Sequence, residues 1–155
     1  MRQESPTRKV LAYIVRARGG RRELLVLSHR DHPEAGLQVP AGTVEPGESV
    51  RAALAREVRE ESGLDGLRVV RRLAVFAEPA WGQVRHVFAL AAPDGLPEAW
   101  THVVGGDGED AGLAFDYRWE DLAGEIRLAG GQGRWLAEVR DGDGHDVHAA
   151  DGDAP

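Results

Sequence analysis

Residues 42–64 read GTVEPGESVRAALAREVREESGL, and the run constrains the fold more tightly than any other stretch of the chain. Residues 49–62 have the length and the Ala, Leu, Arg and Glu content of a helix, with Pro46 and Gly47 ahead of it and Gly63 to stop it. Placed on a helix at about 100° per residue, Glu57, Glu60 and Glu61 fall at i, i+3 and i+4 on one face. Val50, Leu54 and Val58 occupy the adjoining stripe, so one flank packs into a core while the edge carries carboxylates. Ala53, one turn before Glu57, keeps that edge uncrowded.

A plain structural account exists for the acidic edge. It would be a solvated face on which Arg51, Arg56 and Arg59 pair with nearby acids, for instance Arg56 with Glu60. Yet Glu57 and Glu61 are like charges at i, i+4, which costs a few tenths of a kcal/mol. Hard divalent cations offset such repulsion, because Mg²⁺ and Mn²⁺ prefer oxygen ligands and complete their shells with water. Glu48 sits at the helix start, where the macrodipole favours a negative side chain. Gly42 and Gly47 allow a tight loop whose backbone approaches a ligand.

The rest of the chain reads mainly as strands. VLAYIVRA (10–17) and ELLVLSHR (23–30) flank a Gly-containing turn and form a hairpin pattern, although ELLVL alone is also compatible with a helix. Leu37 to Val39 reads as a short strand ended by Pro40, and 67–78 and 83–92 as two further strands joined by PAWG. Pro93 to Gly112 is rich in Gly, Pro and Asp and reads as a long surface loop. Phe115, Tyr117 and Trp119 alternate with polar residues as in a strand with one buried face, and Gln132 to Arg140 has helical spacing.

These elements suit one domain over 9–140, with a flexible N-terminus over 1–8 and a disordered acidic tail over 141–155. His145 and His148 in the tail read as solvated rather than metal-bound. Five aspartates of the tail account for most of the net charge of −7, so the remainder is nearly neutral. That excludes a generic binder of polymeric nucleic acid, which would concentrate Lys and Arg. The chain has no cysteine, hence no disulfide frame or thiolate metal site. Its first apolar run ends after Val15, too short for a signal segment or membrane span, so a cytoplasmic location without membrane attachment is expected.

The helix and its lead-in resemble the Nudix box position for position: Gly42, Glu48, Arg56, Glu57, Val58, Glu60, Glu61, Gly63 and Leu64. VPAG (39–42) is similar to the family's Pro-Gly-Gly lead-in, with Ala41 in place of the middle glycine. The resemblance implies an α+β Nudix fold, a mixed β-sheet sandwiched between α-helices. It also implies a metal-dependent pyrophosphohydrolase that splits the diphosphate bond of a nucleoside diphosphate linked to another moiety. Mg²⁺ or Mn²⁺ would then be held by Glu57, Glu60, Glu61 and the Gly42 carbonyl. Glu57 or Glu61 would position or deprotonate the attacking water, Arg56 would orient a neighbouring glutamate, and Glu48 would support the loop. A further carboxylate from outside the box is expected among Glu98, Glu109, Asp110 and Glu120, with Glu109 and Asp110 best placed.

For the substrate, the Pro-Ala-Gly lead-in and Pro79 resemble the ADP-ribose and nucleotide-sugar enzymes. The 41 residues ahead of Gly42 are fewer than those relatives often use to dimerise, although a homodimer stays open. Dinucleoside polyphosphates and nucleoside di- or triphosphates are alternatives, as is a Nudix-fold nucleotide-binding module without catalysis. Trp81, Phe76 or Trp100 could stack on a base. Arg85 or His86 could touch phosphate, and His29, Arg30 and His32 could line the pocket mouth.

Overall fold

The computed structural model describes residues 5–141. The segment 1–4 and the expected tail beyond Asp141, with His145 and His148, lie outside the described residues. Among the described residues seven strands form one mixed sheet: β1 (Thr7–Arg18), β2 (Arg21–His29), β3 (Ala41–Thr43), β4 (Arg68–Glu78), β5 (Gln83–Ala91), β6 (Ala99–Val103) and β7 (Ala114–Asp121). Their order is β4-β5-β1-β2-β7-β6, with β3 pairing β1 off this path. β1 and β5 run parallel and the other pairs antiparallel. The helix α1 (Val50–Ser62) lies on one face, while a 3₁₀ turn at Gln132–Trp135 and the short α2 (Leu136–Arg140) lie on the other.

β1 explains the layering. Val10, Ala12 and Ile14 pack toward α1 with Leu54 and Val58, whereas the intervening Leu11 and Tyr13 pack toward Trp135, Leu136 and Val139. A strand covered on both faces reads as a continuous apolar run rather than an alternation, which is how VLAYIV reads. Leu54 is 1% exposed at the centre of the α1 contact. Leu54→Ala is therefore expected to destabilise the protein by about 3 kcal/mol, read from the midpoint of urea unfolding.

The outer end of β1 (Val15–Arg18) pairs with β2, and its inner end (Lys9–Leu11) pairs with β3. The two hairpin strands thus part toward the inner end, and the segment 37–43 enters the gap. Gln38 and Leu27 exchange backbone hydrogen bonds of 2.8 and 2.9 Å, and Ala12 N–H donates to Pro40 O at 2.9 Å. Gly42 thereby arrives in the middle of the sheet, beneath α1.

Four details differ from the sequence reading. β1 begins at Thr7, inside the stretch expected to be flexible, because Thr7 N–H donates to Gly82 O and the residue pairs with Gln83. Leu37 to Val39 makes one isolated bridge instead of a strand, since Pro40 ends it and the pairing resumes at Ala41. The expected loop at 93–112 contains β6, an edge strand. The closing helix is split into a 3₁₀ turn and five α-helical residues.

Candidate active site

The box helix is fixed at both ends. Ser49 Oγ caps it by accepting from Ala52 N–H at 3.1 Å, and Gly63 ends it in the left-handed conformation, donating its N–H to Arg59 O. Between these ends, Arg56 organises the acidic edge. Its Nε and Nη2 hold Glu48 in a fork at 2.7 and 2.9 Å, its Nη1 donates to Glu57 at 2.9 Å and Glu60 at 3.2 Å, and Nη2 also reaches Thr43 O at 2.9 Å. Five donor contacts match the five N–H groups of a guanidinium. Glu48 additionally accepts from Glu45 N–H at 3.0 Å, which ties the loop 45–48 to the helix.

The carboxylates differ in state because their surroundings differ. Arg56 holds Glu48 below its ordinary pKa. Burial pushes Glu57 up in spite of Arg56. Glu61 is 5% exposed, and burial pushes it well above its ordinary value; the Ala41 N–H, at 2.9 Å from Oε2, opposes this, while Glu57, Asp110 and Glu60 add to it. Burial and neighbouring like charges disfavour ionisation of such a carboxyl, and a bound cation would offset that cost.

The backbone around these groups leaves room only for carboxylate. A Cβ on Gly42 would lie 1.9 Å from Glu57 Cδ, and one on Gly106 would lie 2.5 Å from Glu60 Oε1. Among the described residues no three acidic or imidazole groups converge as a ready-made ion cage. Mg²⁺ does not require one, because it keeps several waters and takes few carboxylates. The donor set is all hard oxygen, so the residues fit Mg²⁺ or Mn²⁺.

Glu57, Glu60, Glu61, Arg56 and Gly42 line a cavity of about 500 Å³. Glu109 and Asp110 line it too, on the loop 104–113, so both preferred candidates outside the box reach the site. Glu98 instead pairs with Arg16 and Arg18, and Glu120 pairs with Arg118. Arg85 lines the cavity; its Nη2 donates to Gly130 O at 3.0 Å, and its buried Nη1 has no hydrogen-bond partner among the described residues. Trp81 is 63% exposed and outside the lining, with the Arg85 guanidinium 6.0 Å from its ring. Phe76 packs edge-on against Trp135, and Trp100 stacks on Tyr117. His29, Arg30, His32 and His86 do not line the cavity.

Two lining residues carry no local signal in the sequence. Lys9 reaches the cavity from β1 and donates to Thr43 Oγ1 at 2.7 Å. Gln132 accepts from Val39 N–H through Oε1 at 2.9 Å, which assigns its amide orientation. Lys9 and Arg85 are register partners on adjacent parallel strands. The cavity lining therefore combines carboxylates from α1 and the loop 104–113 with the basic side chains Lys9 of β1 and Arg85 of β5.

A mixed sheet with a carboxylate-bearing helix over one face, and a cavity bounded by that helix and the loop entering beneath it, defines the Nudix fold class. The NUDIX domain family model matches residues 6–138, and the chain belongs to this family. Solved structures agree on the fold. The NUDIX domain of Shewanella oneidensis NrtR, complexed with ADP ribose, is similar at 14% identity over 89% of this chain and 88% of that one, with a TM-score of 0.61. A C. elegans Ap4A hydrolase is similar at 20% identity over 87% and 98%, with a TM-score of 0.55. A MutT NUDIX hydrolase from Burkholderia pseudomallei is similar at 24% identity over 88% and 99%, with a TM-score of 0.52. A search of curated proteins gives no match.

Proposed function

We propose that the protein is a divalent-metal-dependent pyrophosphohydrolase that cleaves the diphosphate bond of a nucleoside diphosphate linked to another moiety. The carrying observation is the arrangement of Glu57 and Glu60 on Arg56 beside the buried Glu61, all facing one cavity. Mg²⁺ or Mn²⁺ would be held by Glu57, Glu60, Glu61 and the Gly42 carbonyl, with Asp110 as the added carboxylate. The metal, when bound, neutralises phosphate charge and lowers the pKa of water. The chain's own residues do the rest: Arg56 keeps two glutamates in position, Glu57 or Glu61 receives the proton of the attacking water, and Lys9 with Arg85 attracts the anionic substrate along the sheet. An ADP-ribose or nucleotide-sugar substrate is the preferred reading, supported by Pro79, the Pro-Ala-Gly lead-in and the similarity to a domain complexed with ADP ribose.

Two measurements test this. Millimolar Mg²⁺ or Mn²⁺ is expected to raise the melting temperature, because only the folded chain assembles the carboxylates; binding at 100 times the dissociation constant stabilises by about 2.7 kcal/mol. No shift would remove the metal site. A hydrolysis screen over ADP-ribose, nucleotide sugars, dinucleoside polyphosphates and nucleoside di- and triphosphates is expected to give a metal-dependent hit with ADP-ribose or a nucleotide sugar. Metal binding with no turnover on any compound would favour a nucleotide-binding module.

A further inference from the structure

An α-helix leaves the carbonyls of its last turn without an internal partner. Three consecutive carbonyls at the end of α1 are met from β6, β7 and the loop between them. Glu60 O receives His102 Nε2 at 3.1 Å and Gly105 N–H at 2.9 Å, Glu61 O receives the Tyr117 hydroxyl at 2.9 Å, and Ser62 O receives Trp100 Nε1 at 3.1 Å. A carbonyl only accepts, so the His102 contact is a hydrogen bond when Nε2 carries the proton. The same imidazole closes over the helix end, where a Cβ on Gly63 would lie 3.0 Å from its Nδ1.

From His102 the chain runs directly into the loop that lines the cavity. Gly105 N–H shares the Glu60 carbonyl with His102, and at Gly106, at φ 78°, a Cβ would lie 2.5 Å from Glu60 Oε1. Four residues further on, Asp110 lines the same cavity as Glu57, Glu60 and Glu61. Glu60 is thus held at its carbonyl by His102 and Gly105, and at its carboxylate by Arg56.

We propose that His102 is a positioning residue for the metal-binding face: through the Glu60 carbonyl it sets how the 104–113 loop lies against α1, and hence how the carboxylates of helix and loop converge. The inference rests on the metal-site reading above. Partners that orient ligating groups without touching the metal typically change metal affinity by about 10- to 100-fold.

The test compares Mn²⁺ binding, by calorimetry and by the electron paramagnetic resonance signal of free Mn²⁺, in the full chain and in His102→Phe, His102→Gln and Trp100→Phe. His102→Phe keeps the ring packing and removes the donor; it is expected to weaken Mn²⁺ binding about tenfold. The metal concentration for half-maximal hydrolysis should rise by the same factor, with kcat at saturating metal within about twofold. His102→Gln, which retains an N–H donor, should restore most of the affinity. Trp100→Phe removes a donor from Ser62 and should lower the melting temperature without changing Mn²⁺ affinity. Equal Mn²⁺ affinity in His102→Phe and the unsubstituted chain overturns this inference alone, as does a folded His102→Gln that binds no better than His102→Phe. Failure of the unsubstituted chain to bind Mn²⁺ overturns the proposed function with it.

Discussion

Replacing Glu57 with Gln is expected to lower metal-dependent turnover on the order of 10³-fold and, in metal-free solution near neutral pH, to raise the melting temperature. The first effect follows from what the substitution leaves intact. Gln is nearly isosteric, so the space against Gly42 stays filled, and its amide oxygen can still accept from Arg56 Nη1. What is lost is one negative charge and one proton acceptor at the point where phosphate charge must be neutralised.

The second effect follows from linkage. Burial raises the Glu57 pKa above its ordinary value of 4.5, so the folded chain holds this proton more tightly than the unfolded chain does. The associated stability is fully present below 4.5 and is lost as pH rises through the raised value. Glu57 and Glu61 share this sign, so each of the two carboxyls costs the metal-free protein stability as pH rises above 4.5. Glu57→Gln removes one of them. Melting curves at pH 4 and pH 7, with turnover measured at saturating Mg²⁺, check both halves. Full activity would remove Glu57 from the mechanism, and a lower melting temperature at pH 7 would show that its charge stabilises the metal-free fold.

The box was readable because its constraints are local. Helix periodicity alone groups Glu57, Glu60 and Glu61, and the cap, the stop and the lead-in lie within the same 23 residues. The fork from Arg56 to Glu48, eight residues apart, is less direct, since it depends on how the loop folds back on the helix. β6 escaped for a physical reason: it is an edge strand whose Thr101 and Val103 are exposed, so no apolar alternation marks it amid Gly, Pro and Asp. The register of Lys9 with Arg85 escaped because parallel pairing brings together residues 76 positions apart, and no short-range pattern encodes it. Gln132 is harder still. Its place in the cavity depends on Val39 N–H, across 93 positions, and on the Tyr13 hydroxyl that donates to its own carbonyl.

The box glycines show how one residue type serves different physics, and Gly42 carries the second large effect. Its φ lies outside the left-handed range, and it pairs with Val10 in the sheet as any residue could, so alanine meets no backbone penalty there. The added Cβ, however, would lie 1.9 Å from Glu57 Cδ and 2.2 and 2.4 Å from its oxygens. That side chain cannot simply swing away, because Arg56 Nη1 holds it at 2.9 Å. Either the Glu57–Arg56 contact breaks or β3 pulls back from α1, and both displace the Gly42 carbonyl from the carboxylate. Gly42→Ala is therefore expected to reduce turnover on the order of 10²-fold or more, as small displacements at a reacting centre do, and to abolish the Mn²⁺-induced rise in melting temperature. Its metal-free melting temperature should fall by only a few degrees. Gly47 gives the opposite pattern: at φ 78° with nothing within 4 Å of a Cβ, Gly47→Ala should cost about 1 kcal/mol in backbone strain and leave turnover near normal. Measured side by side, the pair separates the space a glycine leaves for a carboxylate from the conformation a glycine permits. Near-normal activity in Gly42→Ala would mean that the Glu57 carboxylate works from somewhere other than the face of β3.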